Sequence, residues 1–223
     1  MKKRLGCLHA HYSNIEYIER ALSIYDIDLM HFVDSSIMYR MTSVGNYDKT
    51  EAKKKVKEQL DWIAQCEVDA ILITCTNYIA LLQDQRMVAS VPIIKIDEPY
   101  FEYICTLSQP QILLFTNPAT VNGTVERLEK YAEIHQKSLD LEIMIMENTF
   151  ELIMKGLKEE YNAEIIKVLH QLVQDDQKAI SVAQLSMVDA AKRFEQQTSH
   201  GMMNPLKIVV TSIVSQLDLQ KKS

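Results

Sequence analysis

The sequence predicts an α/β protein of two similar lobes, each a parallel sheet flanked by helices, with a ligand cleft between them. Three observations lead there. Short apolar runs alternate along the chain with longer amphipathic stretches, the pattern of parallel strands joined by crossover helices. Two strand-then-helix units, Val68-Asp-Ala-Ile-Leu-Ile-Thr-Cys-Thr-Asn and Gln177-Lys-Ala-Ile-Ser-Val-Ala-Gln-Leu-Ser, have equal length and a shared Ala-Ile pair that sets Gln184 opposite Cys75. Each half also opens on a strand, Arg4-Leu-Gly-Cys-Leu-His or Gln111-Ile-Leu-Leu-Phe-Thr, and later carries a proline-led apolar run, Pro92-Ile-Ile-Lys-Ile or Pro205-Leu-Lys-Ile-Val-Val. Such internal duplication is read as two copies of one supersecondary layout.

In chain order, strands are expected at 4–9, 28–33, 69–74, 92–96, 111–116, 140–146, 178–183 and 206–211. Helices are expected near 13–24, 50–66, 77–88, 97–107, 118–137, 148–174, 186–197 and 212–220. The helix from 97 opens with Asp97-Glu98-Pro99, acids and a proline where a first turn favours them. Residues 34–50 lack periodicity and are expected as a loop forming a wall or lid, with Tyr39 and Tyr47 shaping a rim and Arg40 offering a cation to a substrate carboxylate. Ser199-His-Gly-Met-Met-Asn-Pro205 is expected as a loop that brings His200 towards the crevice. The first lobe is placed at 1–98 plus about 205–223 and the second at 99–204.

The segment Ala70-Ile-Leu-Ile-Thr-Cys-Thr-Asn-Tyr78 carries the chemistry. Ile71 to Thr74 favour a buried strand, and Thr76 or Asn77 is suited to cap a helix bearing Tyr78, Ile79, Leu81 and Leu82. Cys75 then lies among unpaired backbone N–H groups, which stabilise a thiolate and hold a carboxylate. A cysteine that merely packs is the plain alternative.

Four segments stand in order along the chain: Thr74-Cys-Thr-Asn77, Val91-Pro-Ile-Ile-Lys-Ile-Asp-Glu98, Leu114-Phe-Thr-Asn-Pro-Ala-Thr-Val121 and Val182-Ala-Gln-Leu-Ser-Met187. With these, in the family's order, the chain resembles the aspartate/glutamate racemase superfamily, which includes glutamate, aspartate and hydantoin racemases, maleate isomerase and arylmalonate decarboxylase. It implies Cys75 as the catalytic group, with Thr76, Asn77, Thr116, Asn117 and Thr120 binding carboxylate oxygens. It also implies an acid near the site at Glu98 and a homodimer as the candidate assembly.

One departure redirects the chemistry. The family's two-cysteine racemases place a thiol on each side of the substrate's α-carbon, but the second position is Gln184 here, and an amide does not exchange protons near neutral pH. Ser186 has no paired His or Lys in its motif. Single-thiol chemistry remains: decarboxylation with one proton donor, or isomerisation by thiolate addition to a double bond. Gln184 is left to hydrogen-bond substrate or Ser186. Neither reaction needs a metal, nucleotide or covalent cofactor. A carboxylate-binding protein on the same scaffold, and a racemase with His9, His11 or His200 as second base, are the rival readings.

Composition narrows the field. Of 223 residues, 47% are hydrophobic, enough for a packed core, yet no run approaches the ~18 residues of a membrane span. Met-Lys-Lys-Arg leads into a short strand rather than a signal-peptide core, so a cytoplasmic protein is expected. Five scattered glycines exclude a GxGxxG turn or Walker loop, and a net charge of −6 argues against nucleic acid as partner. The basic run Lys53 to Lys57 reads as a solvated helix face, and the eleven methionines as irregular core filling. Cys7, Cys66, Cys75 and Cys105 lack Cys-x-x-Cys spacing, which speaks against zinc ribbons, clusters and a disulfide framework. Cys7 is expected to point into the sheet. His9 and His11 alternate on one strand face as possible helpers of Cys75, and without a third ligand at a telling spacing no metal site is expected.

Overall fold

A computed structural model describes residues 2–43, 48–82, 90–174 and 178–222. Tyr47 and Gln177 lie outside the described residues, as does the expected helix beyond Leu82. The chain divides into two compact units, Met1–Glu98 with Val209–Ser223, and Pro99–Ile208.

The first unit is built on an all-parallel sheet in the order β2-β1-β3-β4, with β1 Lys3–His9, β2 Ile27–Val33, β3 Ala70–Ile73 and β4 Ile93–Lys95. Its crossovers are α1 Asn14–Leu22, α2 Ser36–Ser43, α3 Lys49–Ala64 and α4 Thr76–Leu81. On α3 the residues Ala52, Val56, Leu60 and Ile63 form one buried stripe, while Lys54, Lys55 and Lys57 are exposed, as the charge pattern predicts. Gly6 lets this helix approach β1: a Cβ there would sit 2.6 Å from Ile63 Cγ2. The segment 34–50 is not a bare loop. Asp34 Oδ1 accepts the Ser36 N–H at 2.8 Å and Ile37 is buried, so α2 forms in its first half.

The second unit repeats the layout with β5 Gln111–Phe115, β6 Leu141–Ile145 and β7 Ala179–Val182 in the parallel order β6-β5-β7. Helix α5, Glu98–Ile104, enters it, and a 3-10 turn Pro118–Thr120 continues into α6 Val121–Ile134. The helix expected at 148–174 is two, α7 Thr149–Met154 and α8 Lys158–Leu172, because Gly156 takes φ +77° between them. A 3-10 turn Leu185–Met187 leads into α9 Val188–Thr198. Tyr161, Ile165 and Leu169 of α8 pack with Ala190, Ala191 and Phe194 of α9 over Leu114 and Val182. Each large apolar side chain so buried contributes about 1.5–3 kcal/mol.

The strand expected at 206–211 is instead the start of α10, Pro205–Leu217. Asn204 Oδ1 accepts the Lys207 N–H at 2.9 Å and Pro205 opens the first turn, so local capping overrides the β-branched run Ile208-Val-Val. Pairing with β7 falls earlier, at the single parallel bridge between Ser181 and Met203. After α10 the chain end returns to the first unit, where Tyr25 and Lys221 bridge antiparallel.

Candidate active site

The internal repeat is exact in hydrogen bonding as well as in order. Leu5 pairs with Ala70 and Leu8 with Ile73 in one sheet; Gln111 pairs with Ala179 and Leu114 with Val182 in the other. One residue on, the Thr74 N–H donates to the Leu8 carbonyl at 3.1 Å and the Ala183 N–H to the Leu114 carbonyl at 2.9 Å. Cys75 and Gln184 therefore occupy equivalent backbone positions, each two residues past a strand paired with the first strand of its unit.

Cys75 is half-buried, outside any disulfide, and extended at φ −100°, ψ 113°. It is itself the N-cap of α4, its carbonyl accepting the Ile79 N–H at 3.1 Å, so Thr76 and Asn77 fall in the first turn rather than capping it. Both are half-buried beside the thiol. The described helix spans only six residues, so what it offers an anion is a few local N–H groups rather than a long dipole.

Behind Cys75 runs a chain of hydrogen bonds. Thr74 Oγ1 lies 2.8 Å from His9 Nδ1 and accepts Asn14 Nδ2 at 3.2 Å; His9 Nε2 lies 2.9 Å from His31 Nδ1; His31 Nε2 lies 3.0 Å from Glu19 Oε1. With both imidazoles neutral, an ionised Glu19 only accepts, so His31 Nε2 donates to it, His31 Nδ1 accepts from His9 Nε2, and the Thr74 hydroxyl donates to His9 Nδ1. Burial and the neighbouring His31 push His9 down to about 4, so it is neutral at pH 7. His9 and His11 do not share a strand face: β1 ends at His9, and exposed His11 turns to Ser13 Oγ at 2.8 Å. Cys7 is fully buried, and that burial raises its thiol pKa far above the ordinary value.

In the second unit Gln184 is tied at both ends. Its Oε1 accepts the Thr116 N–H at 2.8 Å, the Thr116 hydroxyl at 2.9 Å and the Asn117 N–H at 3.0 Å, while its Nε2 donates to Thr120 Oγ1 at 2.8 Å and to the Asn117 carbonyl at 3.4 Å. The donors expected to bind a carboxylate thus bind a side-chain amide. Ser186 Oγ meets not Gln184 but the Tyr161 hydroxyl at 2.8 Å, which also lies 2.8 Å from Thr116 Oγ1. Burial raises the Tyr161 pKa, so the phenol is neutral at pH 7 and supplies no base to Ser186.

The remaining expected residues make contacts of their own or face solvent. Arg40 lies on α2 with Nη1 3.5 Å from Glu51 Oε1, Glu98 bonds Lys95 Nζ at 2.5 Å, and His200 is exposed after α9. Sequence reasoning missed His31, Glu19, Asn14 and Tyr161. Each is joined to the site only through pairing or packing distant in sequence, and Tyr161 reads as part of a core stripe.

A family model described as Asp/Glu/Hydantoin racemase matches residues 13–213. The chain is similar in fold to an aspartate racemase from Picrophilus torridus, with TM-score 0.73 at 10% identity over 99% of this chain and 96% of that one. It is similar to an allantoin racemase from Klebsiella pneumoniae, with TM-score 0.64 at 17% identity over 97% and 88% of the two chains. A glutamate racemase from Francisella tularensis, in complex with D-glutamate, gives TM-score 0.64 at 16% identity over 97% and 81%. No curated protein matches the chain in sequence. With a match running through both units, which share one layout, the chain belongs to the Asp/Glu/hydantoin racemase family.

Proposed function

We propose that this family member acts on a small carboxylate through a single thiol, that of Cys75, as an isomerase or decarboxylase rather than a two-base racemase. The observation that carries the reading is Gln184: it stands at the position equivalent to Cys75, and both ends of its amide are engaged by Thr116, Asn117 and Thr120. A racemase needs a second proton-transfer group on the far side of the α-carbon, and a locked amide is not one.

In this reading the N–H groups and side chains of Thr76 and Asn77 hold a substrate carboxylate beside the thiol. Thr116, Asn117 and Thr120 act by holding Gln184 still. Two reaction courses use one sulfur. In isomerisation the Cys75 thiolate adds to a carbon–carbon double bond, the adduct rotates about the resulting single bond, and expulsion of the thiolate restores the double bond in the other geometry. In decarboxylation the carbon–carbon bond to a carboxylate breaks, carbon dioxide leaves, and the Cys75 thiol protonates the carbanion. The Glu19–His31–His9–Thr74 chain positions the residue preceding Cys75.

The test is proton NMR in deuterated water with the D and L forms of aspartate and glutamate, with maleate, and with alkyl- and arylmalonates. The expected result is turnover of an alkene diacid or a malonate that vanishes in Cys75→Ala. Deuterium entering the α-position of both enantiomers of an amino acid would overturn the reading in favour of racemisation; carboxylate binding that survives Cys75→Ala with no turnover in the intact protein would overturn it in favour of a binding protein.

A further inference from the structure

The parallel pairing of the first two strands gathers a second constellation, in the first unit and behind the Cys75 segment. Cys7 and His9, two apart on β1, share a face, and the register sets His31 of β2 directly beside Cys7. One ligand atom from each of the three lies within 4.8 Å of the other two. Cys7 and His9 are fully buried, and the His31 side chain is 13% exposed. We propose that Cys7 Sγ, His9 Nε2 and His31 Nδ1 form a binding site for one thiophilic divalent transition-metal ion, with zinc as the natural occupant and an open fourth position.

Three features carry this beyond mere proximity. The donor set suits the ion: one thiolate and two imidazoles are a borderline-soft combination that fits tetrahedral zinc. The outer contacts suit it too, since each imidazole has its remaining nitrogen held, His31 Nε2 by the Glu19 carboxylate at 3.0 Å and His9 Nδ1 by Thr74 Oγ1 at 2.8 Å. That is how ligating histidines are oriented at metal centres. The charges also balance, because a divalent cation is offset by the Cys7 thiolate and the Glu19 carboxylate.

Loading needs only local adjustment. Metal–nitrogen bonds of about 2.0–2.1 Å and a metal–sulfur bond of about 2.3 Å set the donor atoms roughly 3.4–3.6 Å apart in a tetrahedron. The two ring nitrogens at 2.9 Å must open slightly, and the sulfur must close by at most about 1.2–1.4 Å from the 4.8 Å limit, which side-chain rotation supplies. The Cys7 thiol releases its proton to solvent. His9 moves its proton from Nε2 to Nδ1, which then donates to Thr74 Oγ1, and the Thr74 hydroxyl turns to the Leu8 carbonyl 3.3 Å away. Every donor keeps a partner, so the site has two complete states, one with the ion and one with the histidine–histidine hydrogen bond.

The experiment is titration of the chelator-treated full chain with cobalt(II), followed by displacement with zinc(II). One equivalent is expected, with a thiolate-to-cobalt charge-transfer band and intense visible bands of tetrahedral geometry, both lost on adding zinc. Cys7→Ala abolishes the charge-transfer band, whereas Cys66→Ala and Cys75→Ala leave it. Glu19→Gln, at a half-exposed carboxylate, keeps the fold and weakens binding roughly 10- to 100-fold. Absence of the band at roughly millimolar cobalt, its persistence in Cys7→Ala, or unchanged affinity in Glu19→Gln would overturn the assignment.

Discussion

Replacing Gln184 by alanine removes the acceptor of two backbone N–H groups and one hydroxyl at once, those of Thr116 and Asn117. Thr116 is 1% exposed, so its donors have little access to water, whereas half-buried Asn117 can be rehydrated. A buried donor left unsatisfied costs about 1–3 kcal/mol, and a rehydrated one a few tenths. The Thr116 hydroxyl can turn to the Tyr161 oxygen 2.8 Å away, so one costly loss, at the Thr116 N–H, and one cheap one give about 1–3 kcal/mol, against about 0.5 kcal/mol for an ordinary surface substitution. Gln184→Glu keeps the acceptor and strengthens the N–H contacts by its charge, but forfeits the bonds donated to Thr120 and Asn117 and costs about half as much. The assay is urea denaturation followed by circular dichroism, because the one tryptophan, Trp62, lies in the first unit and Gln184 in the second. With an m value of roughly 2 kcal/mol per molar, the alanine variant shifts the midpoint down by about 0.5–1.5 M. A loss under about 0.5 kcal/mol at unchanged m would refute the view that Gln184 is a structural lock.

Three further outcomes follow from other parts of the molecule. Gly6→Ala should destabilise by about 1–3 kcal/mol in the same assay, since its Cβ would meet the buried Ile63 Cγ2 at 2.6 Å, and Ile63→Ala in the same chain should make the added methyl nearly neutral. Asn204→Ala should cost about 1 kcal/mol by removing the cap on the Lys207 N–H, with Asn204→Asp restoring most of it. Because burial raises the Tyr161 pKa, the unfolded chain ionises at the ordinary tyrosine value near 10.0 while the folded one does not, so this residue's contribution is intact below that value and declines as pH rises above it. Tyr161→Phe should flatten the fall in stability between about pH 9 and 11 relative to the parent; an unchanged slope would contradict the assignment.

The layout was legible because it depends on pattern. Alternating apolar runs and amphipathic stretches placed seven strands, and the shared Ala-Ile pair of β3 and β7 set the register that makes Cys75 and Gln184 equivalent. The eighth expected strand failed where short-range chemistry outweighed composition: Asn204 and Pro205 start a helix through residues that favour a strand. The break at Gly156 and the short helix after Asp34 are likewise decisions of single residues, invisible to a window average. Cys75, Thr76, Asn77 and Gln184 were identified from motif and resemblance. His31 and Tyr161 were not, because His31 reaches His9 through sheet register and Tyr161 reaches Ser186 from another helix. For Gln184 the sequence shows an amide at the position equivalent to Cys75; only the geometry shows where that amide goes.

The most direct test of single-thiol chemistry is turnover by the Cys75→Ala and Gln184→Ala variants side by side, on whichever maleate- or malonate-type substrate the intact protein converts, with product configuration read by NMR in deuterated water. The account predicts complete loss with Cys75→Ala, and with Gln184→Ala a product of unchanged configuration formed at a rate lowered no more than about tenfold. Turnover surviving without the thiol, or abolished by loss of the amide alone in a folded variant, would contradict it.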